Sequence, residues 1–307
     1  MEKSEIIERL NNLKQQYGEW SYDIPLLYNI WTKGNIQMPH TRLKRIVQLV
    51  NDTVGKPLSE CRVLDLGCLD GQFSIEFAQQ GATTLGIEVR EANVKKAIFC
   101  KEILNLNKLE FQQEDARNIS KETHGMFDAI ICSGLLYHLT ASDSIQLISK
   151  MFEMSNKLVI IDTHIALEPK STYCKDNIEY FGSSFKEHKK NDTQTQKANK
   201  LWASWDNHES FWFTRPSLVN ILNKAGFSSV YECFSPPHVN FGRQGVECKD
   251  RCTFVAIKGQ KVRLHTSPVA NDFVENLPEH YLDYGNQNDR TMLARMIKKM
   301  KRMTKSN

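Results

Sequence analysis

The chain has 307 residues, of which 40% are hydrophobic, and a formal net charge of +4. These values predict a globular protein with a sizeable core, and no apolar run approaches the roughly 18 residues of a membrane span. The eight cysteines are scattered without a disulfide framework, and the charged N-terminus lacks the apolar region of a signal peptide. We therefore expect a reducing, cytoplasmic location and no integral membrane segment.

Residues 1–58 precede the first predicted core strand and form a helical extension, with helices predicted over 4–16 and 41–51 and an aromatic segment between them. From residue 61 onwards, short apolar runs alternate with amphipathic stretches, which predicts an α/β domain with a mainly parallel sheet. The predicted strands are 61–66, 83–88, 109–113, 127–132, 157–162, 228–234 and 251–258, and the predicted helices are 72–80, 91–105, 141–154 and 215–225.

The first strand runs into a glycine motif, Val63-Leu64-Asp65-Leu66-Gly67-Cys68-Leu69-Asp70-Gly71. Gly67 and Gly71 allow a sharp turn and a close approach of the backbone to a ligand. Leu69 stands where a dinucleotide fingerprint needs its second glycine, so the motif does not indicate a pyrophosphate ligand.

Three acids follow successive strands and indicate a ligand that is cationic or rich in hydrogen-bond donors. Glu88 is placed to accept from both hydroxyls of a ribose, and Asp115 from an exocyclic amine. Asp65 is a candidate neighbour of an amino group or a sulfonium.

In order along the chain, the glycine motif, Glu88, Glu114-Asp115-Ala116 and the strand Phe127–Ser133 resemble the class I S-adenosylmethionine (SAM)-dependent methyltransferases, over about residues 60–258. The resemblance implies a Rossmann-like seven-stranded sheet, mainly parallel with an antiparallel last strand, and SAM as the cofactor. The chain departs from the family at Cys68-Leu69-Asp70, where a third glycine is common. The implied cofactor-binding residues are Asp65, Gly67, Gly71, Glu88, Asp115, Ala116 and Ser133.

Within the predicted SAM-binding domain, 59–260, the segment 163–213 is too long for a simple connection, and such loops are usually functional or disordered. It is polar in the middle and aromatic at its end. We interpret it as a cap over the substrate; a surface insertion anchored by its aromatics is the alternative. The predicted substrate-binding residues come from the N-terminal extension, the cap and the start of the following helix, namely Trp31, Trp205, His208 and Arg215, each of which also has a structural alternative.

The candidate base is His138, just past the fourth strand, because histidine can accept a proton near neutral pH. Tyr137 is a candidate hydrogen-bond partner of the acceptor. His164, after the fifth strand, is the second base candidate. The alternative is that His138 only holds the loop or caps the next helix. No metal-ligand cluster recurs at convincing spacing, so no metal is predicted.

Two segments, Gly134-Leu135-Leu136-Tyr137-His138 and Phe211-Trp212-Phe213-Thr214-Arg215-Pro216-Ser217, are similar to the branch that modifies the tRNA wobble uridine with a carboxylated SAM, and to related small-molecule methyltransferases. Apart from its last residues the chain is mildly acidic, which does not favour tRNA. The leading hypothesis is methylation, most readily at oxygen, of a small-molecule or sugar-derived acceptor. The alternatives are a tRNA-modifying transferase and a non-catalytic scaffold subunit.

The C-terminal extension, 261–307, contains a predicted basic amphipathic helix with its methionines on one face, over 292–303. Such a helix is suited to weak contact with an anionic membrane surface or with RNA phosphate. A solvated terminal helix is the alternative.

Overall fold

The computed structural model describes residues 1–34, 41–233 and 250–272. Its helices are α1 (Lys3–Tyr17), α2 (Thr41–Val54), α3 (Gln72–Gln79), α4 (Glu91–Ile103), α5 (Lys121–His124), α6 (Ala141–Met154), α7 (Gln194–Ala198) and α8 (Arg215–Ala225). Its strands are β1 (Arg62–Leu66), β2 (Thr83–Glu88), β3 (Leu109–Gln113), β4 (Phe127–Ser133), β5 (Ser155–His164), β6 (Ser171–Lys175), β7 (Ile178–Lys186), β8 (Glu209–Phe213), β9 (Ser229–Cys233) and β10 (Arg251–Ile257).

Seven strands form one sheet in the order β3-β2-β1-β4-β5-β10-β9. The first five are parallel, while β10 runs antiparallel between β5 and β9. The chain order reverses between β1 and β4, and in such sheets ligands bind beyond the carboxyl ends of the strands at this point. The predicted fold class is confirmed, with the antiparallel strand in the predicted place.

Both faces of the sheet are covered, which explains why its central strands are nearly continuous apolar runs. Along β4, Ile130 and Cys132 face a layer that contains α6 and α8. The alternate residues, Ala129 and Ile131, face α2 and α3. This alternation follows from the two-residue period of a strand, and the two apolar layers hold the sheet between them.

The N-terminal extension packs on the outer side of the domain through its own apolar cluster. Ile6 and Leu10 of α1 and the buried Trp20 pack with Phe99 and Ile103 of α4. The Trp20 and Phe99 rings meet edge to face with centroids 5.9 Å apart. The extension is therefore part of the packed body, and this fixes residues 19–33 beside the glycine motif.

The segment between β5 and α8 holds a second sheet, antiparallel in the order β6-β7-β8, which the sequence analysis did not predict. Its polar stretch also contains α7, which begins with a capping box between Thr193 and Gln196. The segment is joined to the main domain by Phe211 N, which donates to Leu139 O at 2.9 Å, and by Ile165 N, which donates to Asp250 O at 2.7 Å. We name residues 165–213 the insertion.

The predicted basic helix over 292–303 falls outside the described residues. Within the described ranges, no helix has the length and apolarity needed to span a membrane.

Candidate functional site

The glycine motif forms a tight loop between β1 and α3, at the carboxyl end of the sheet. Gly67 and Gly71 have φ of 67° and 88°, and Leu69 between them has φ of 51°. A Cβ on Gly71 would lie 2.6 Å from Phe111 Cζ. Both the left-handed backbone and the lack of space therefore require glycine at this position. The loop therefore lies close against β3.

Asp65 holds the start of α3. Its Oδ2 accepts from Ser74 N at 3.1 Å and from Ser74 Oγ at 2.6 Å. The N-cap residue, Gly71, has no side chain to cap the helix, so a carboxylate from β1 supplies the acceptor. Burial raises the pKa of Asp65 to about 7, although the bonds from Ser74 oppose the rise. This helix-capping role differs from the expected contact with a ligand amino group or sulfonium.

Glu88 ends β2 and is only 3% exposed. Its Oε2 accepts from Leu69 N at 3.0 Å, and its Oε1 accepts from Arg90 N at 2.8 Å. Burial raises its pKa, and these main-chain hydrogen bonds act in the opposite direction. Glu88 thus fixes the glycine loop at the carboxyl end of β2, and its contact with a ligand stays a prediction.

Asp115 follows β3 and is engaged by Arg117, which binds both of its oxygens at 2.5–3.0 Å. Burial would raise the pKa of Asp115, but the hydrogen bonds and charge of Arg117 lower it overall. The next residue, Ala116, is 8% exposed and packs into the core. Asp115 is therefore an ionised acceptor at the end of β3.

Asp70, in the segment Cys68-Leu69-Asp70 where the chain departs from the family, ties the N-terminal extension to the loop. Its Oδ2 accepts from the main-chain N–H groups of Ser21 and Tyr22. Lys96 adds to this contact, because its Nζ donates to Glu19 O at 2.9 Å. Burial raises the pKa of Asp70 to about 6, against the opposing effect of these N–H groups and Lys96. The departure from the family pattern thus has a structural role, because Asp70 holds Tyr22 at the site.

Ser133, at the end of β4, has a buried hydroxyl with no hydrogen-bond partner among the described residues. An unpaired buried hydroxyl costs free energy, so this position fits a polar ligand. With the carboxylates of Glu88 and Asp115 on neighbouring strands and the left-handed turn at Gly67, the residues fit a ribonucleoside that carries an amino acid.

His138 is paired with a carboxylate that the sequence analysis did not single out. Its Nδ1 lies 2.9 Å from Oε1 of Glu187, whose side chain is only 2% exposed. Glu187 is held in turn by Ser204 N at 3.0 Å and Ser210 Oγ at 2.8 Å. Burial would raise the pKa of Glu187, but the bond to His138 lowers it overall. A carboxylate at Nδ1 fixes the imidazole so that Nε2 is the basic nitrogen.

An aromatic cluster surrounds this histidine. The rings of Tyr137 and His138 have centroids 4.2 Å apart, and Tyr137 meets His164 edge to face at 4.7 Å. Trp212 stacks on His164 and on Phe185, each at 4.8 Å. Phe185 and Trp212 belong to the insertion, so the structure brings all three predicted catalytic residues together under insertion aromatics.

His164 has its own acidic neighbour. Its Nδ1 lies 3.2 Å from Oδ2 of Asp250, at ion-pair distance but off the direction of a hydrogen bond. Both flat faces of the Trp212 ring are in stacks, and its Nε1 donates to Tyr137 O at 2.9 Å. His164 is thus part of the aromatic wall, whereas His138 has the better oriented imidazole.

Asp162, on β5, binds two arginines. Arg251 Nε donates to Asp162 Oδ1 at 2.7 Å, and Arg42 Nη1 lies 3.3 Å from the same oxygen. Thr253 Oγ1 donates to Oδ2 at 2.7 Å because the register sets Thr253 directly opposite Asp162. Arg251 also reaches Tyr137 OH at 3.2 Å. We name Arg42, Asp162 and Arg251 the arginine pair site.

The predicted substrate-binding residues are more dispersed. Trp31 lies on the N-terminal extension, bridged to Pro25, with its Nε1 3.4 Å from Asn29 Oδ1. Arg215 makes a two-point ion pair with Glu232, at 2.5 and 3.1 Å. Arg215 is thus engaged in a salt bridge, and its contact with a substrate stays a prediction.

Trp205 and His208 lie in the insertion, and their side chains contact residues outside the aromatic cluster. The Trp205 ring packs 5.5 Å from the Arg90 guanidinium, and the exposed His208 lies 3.4 Å from Lys197 Nζ. Arg90 also donates to Ala203 O at 2.9 Å. These contacts join the insertion to the carboxyl end of β2 and place Trp205 beside the Glu88 side of the site.

Within residues 1–34, 41–233 and 250–272, no group of three or more histidine, cysteine, aspartate or glutamate side chains is arranged to hold a metal ion.

The sheet order, the glycine loop and the acids on β2 and β3 together define a class I SAM-dependent methyltransferase, with SAM as its cofactor. The chain belongs to the methyltransferase-domain family, whose model matches residues 38–232.

Two curated relatives and one solved structure illustrate the similarity. The mitochondrial ubiquinone biosynthesis O-methyltransferase of Bos taurus is 28% identical over 109 residues, 34% of this chain and 29% of that protein. The ubiquinone biosynthesis O-methyltransferase of Leptothrix cholodnii is 31% identical over 96 residues, 31% of this chain and 40% of that protein. The matches thus span less than half of either relative.

The N-terminal domain of EvdMO1, crystallised in the presence of SAH (S-adenosylhomocysteine) and D-fucose, has a TM-score of 0.61 at 23% identity and covers 84% of this chain and 96% of that one. This likeness shows that the two chains share a fold.

Proposed function

We propose that this protein transfers the methyl group of SAM to an oxygen of a small acceptor, with His138 as the general base. The observation that carries the proposal is the contact between His138 Nδ1 and the buried Glu187. Methylation of a hydroxyl releases a proton, and a base is needed where that proton must leave. The oriented imidazole supplies one beside the carboxyl end of β4.

The proton transfer follows from the geometry of the histidine. Nδ1 carries the hydrogen that it donates to Glu187, so the lone pair at Nε2 is available to take the proton of an acceptor hydroxyl. Nε2 of His138 has no hydrogen-bond partner among the described residues. The carboxylate of Glu187 then stabilises the imidazolium that forms, and Tyr137 OH is in reach to orient the acceptor.

The proposal gives each cofactor residue a role. Glu88 accepts from the ribose hydroxyls, Asp115 from the exocyclic amine, and Gly67 and Ser133 lie against the amino-acid part. Asp65 acts indirectly, by holding α3 and the glycine loop. Bound SAM supplies a methyl group activated by a positively charged sulfur, so positioning by the protein accounts for much of the rate.

The insertion supports a small acceptor over a macromolecule. It covers the aromatic cluster with Phe185 and Trp212 and is tied to β2 by Arg90 and to the end of β3 by the ion pair of Arg117 with Asp206, at 2.6 Å. A cap held against the ends of β2 and β3 favours phenols, small acids or sugars. The tRNA-modifying alternative requires an opening wide enough for a splayed nucleotide.

The proposal is tested by incubating the protein with SAM and a panel of catechols, hydroxybenzoates and monosaccharides, with SAH release as the readout. We expect a hydroxyl-bearing compound to be methylated at oxygen. His138→Gln is expected to lower kcat by roughly 100-fold or more, with SAH affinity unchanged. Methylation at nitrogen or carbon, or a fully active His138→Gln variant, would overturn the proposal.

A further inference from the structure

We propose that Arg42 and Arg251 form a subsite for an anionic oxygen group, a carboxylate or a phosphate, on the acceptor. The inference deepens the proposed function, on which it rests, by naming the class of acceptor. It starts from the arginine pair site, where two guanidinium groups share the carboxylate of Asp162 at distances of 2.5–3.3 Å.

The charges at this site do not cancel. In the described part of the chain, both guanidinium groups have the same carboxylate, that of Asp162, within ion-pair distance. The carboxylate of Asp250 lies against His164 and interacts with the charge of Arg251 from beyond ion-pair distance. Burial would raise the pKa of Asp162, yet Arg251 and Arg42 lower it overall, so it is ionised and already shared. Among groups within ion-pair distance, one positive charge is therefore left over at a partly buried position, where an anion is favoured.

The arginines are also reachable from the site. The Arg42 and Arg251 side chains keep 23% and 14% of their surface exposed. Next to them is Gly134, which follows β4, and a Cβ on Gly134 would lie 3.6 Å from Arg251 Nη2. The guanidinium of Arg251 therefore faces the same loop that carries Tyr137 and His138.

Tyr137 sets the spacing between the cationic group and the base. The guanidinium carbon of Arg251 lies 5.1 Å from the centroid of the Tyr137 ring, and the His138 ring lies 4.2 Å from the same centroid. An acceptor that spans this ring has its hydroxyl at His138 and its anionic group at the arginines. A phenolic acid or a sugar acid has these two groups at opposite ends.

Tyrosine hydroxyls complete the lining of the subsite. Arg42 Nη2 donates to Tyr22 OH, and Arg251 Nη1 donates to Tyr137 OH, each at 3.2 Å. The O–H hydrogen of Tyr137 has no acceptor in residues 1–34, 41–233 and 250–272, so it is available to an anion. Guanidinium groups bind carboxylate and phosphate with two parallel hydrogen bonds, which suits this arrangement to either group.

A purely structural ion pair is the alternative, in which the site only joins α2 to β5 and β10. The two cases differ in what happens when one arginine is removed. Arg42→Gln leaves the contacts of Asp162 with Arg251 and Thr253 in place, so the fold is expected to survive. The exposed Lys44, on the same helix, provides the matched control Lys44→Gln, which removes an equal charge.

The test is calorimetric titration of the SAH-saturated protein with paired probes. The pairs are para-hydroxybenzoate with para-hydroxybenzamide, and glucuronate with glucose. Phenyl phosphate tests whether the subsite binds a phosphate in place of a carboxylate. We expect an anionic probe to bind at least about 10-fold tighter than its neutral partner. In Arg42→Gln that preference should fall by roughly 10-fold, with SAH affinity unchanged, while Lys44→Gln keeps both.

Equal binding of charged and neutral probes, failure of every anionic probe to bind, or an unchanged preference in Arg42→Gln would overturn the subsite. SAH binding is measured in the same samples and separates this result from a failure of the proposed function. A preference that appears only without SAH would place the anion in the cofactor position, and it would also overturn the assignment to the acceptor.

Discussion

His138 and Glu187 stand 49 residues apart in the chain, yet their side chains meet at 2.9 Å. His138 follows β4 in the main domain, and Glu187 follows β7 in the insertion. The base and the carboxylate that orients it therefore come from different sheets. The insertion is thus part of the proposed catalytic arrangement as well as a cover for it.

Glu187→Gln tests this arrangement kinetically. The amide keeps the shape of the side chain but removes the negative charge that stabilises the imidazolium, so we expect kcat to fall by about 10- to 100-fold with SAH affinity unchanged. In a His138→Gln background the same change should cost little more, because both residues act in one step. Glu179→Gln, exposed on β7, is the control. Additive losses in the double variant would contradict a shared role.

Trp212→Phe tests the link between the insertion and the loop after β4. Phenylalanine retains a ring for the stacks with His164 and Phe185 but lacks the Nε1 donor to Tyr137 O. We expect a loss of about 1 kcal/mol in the free energy of unfolding and a raised KM for the acceptor. Trp202→Phe, at a ring that is 66% exposed, should change neither quantity. The measurements are urea denaturation and steady-state kinetics.

Asp65→Asn tests the buried carboxylate through pH. The pKa of Asp65 is about 7 in the folded protein against an ordinary value of 3.8, so between these values the folded state holds a proton that the unfolded state has lost. The contribution of Asp65 to stability therefore falls as pH rises from about 4 to 7 and is constant above that.

Asparagine does not titrate, so the stability of Asp65→Asn relative to the parent protein should rise over the same window. Asp70 titrates in both proteins, so its effect cancels in the difference between their free energies of unfolding. Chemical denaturation at a series of pH values measures this difference. A difference that does not change with pH would mean that Asp65 is not protonated on folding.

Gly71→Ala tests the packing of the glycine loop. The alanine would have to adopt a left-handed backbone conformation, φ 88°, and its Cβ would lie 2.6 Å from Phe111 Cζ. Gly55→Ala is the matched control, because its φ is 75° and nothing lies within 4 Å. We expect Gly55→Ala to cost about 1–2 kcal/mol and Gly71→Ala clearly more. Equal melting temperatures for the two variants would show that Phe111 moves aside freely.

The fold was predictable because its signals are local. The apolar runs of β1, β4 and β5 and the glycine stop of α8 at Gly226 each depend on a few neighbouring residues. The predicted strands differ from the observed ones by a few residues at their ends. The second sheet was missed because β6 and β7 are largely exposed, so they show no apolar run.

The site was predictable only in part, for the same reason. Glu88 and Asp115 follow strand ends, where position along the chain predicts position in space. Glu187 lies in a polar stretch of the sequence, where one carboxylate among many carries no signal. Its role depends on a long-range contact with His138. Arg42 likewise comes from a helix outside the core motif, and its partner Asp162 is 120 residues away.

Calorimetric titration with SAH measures whether this site binds the adenosyl cofactor through Glu88. We expect micromolar affinity for the parent protein and a loss of about 1.5–3 kcal/mol in Glu88→Ala, the range for hydrogen bonds to a charged group. Glu91→Ala, exposed at the start of α4, should bind SAH as the parent does. Millimolar or absent binding by the parent protein, or unchanged affinity in Glu88→Ala, would contradict the account.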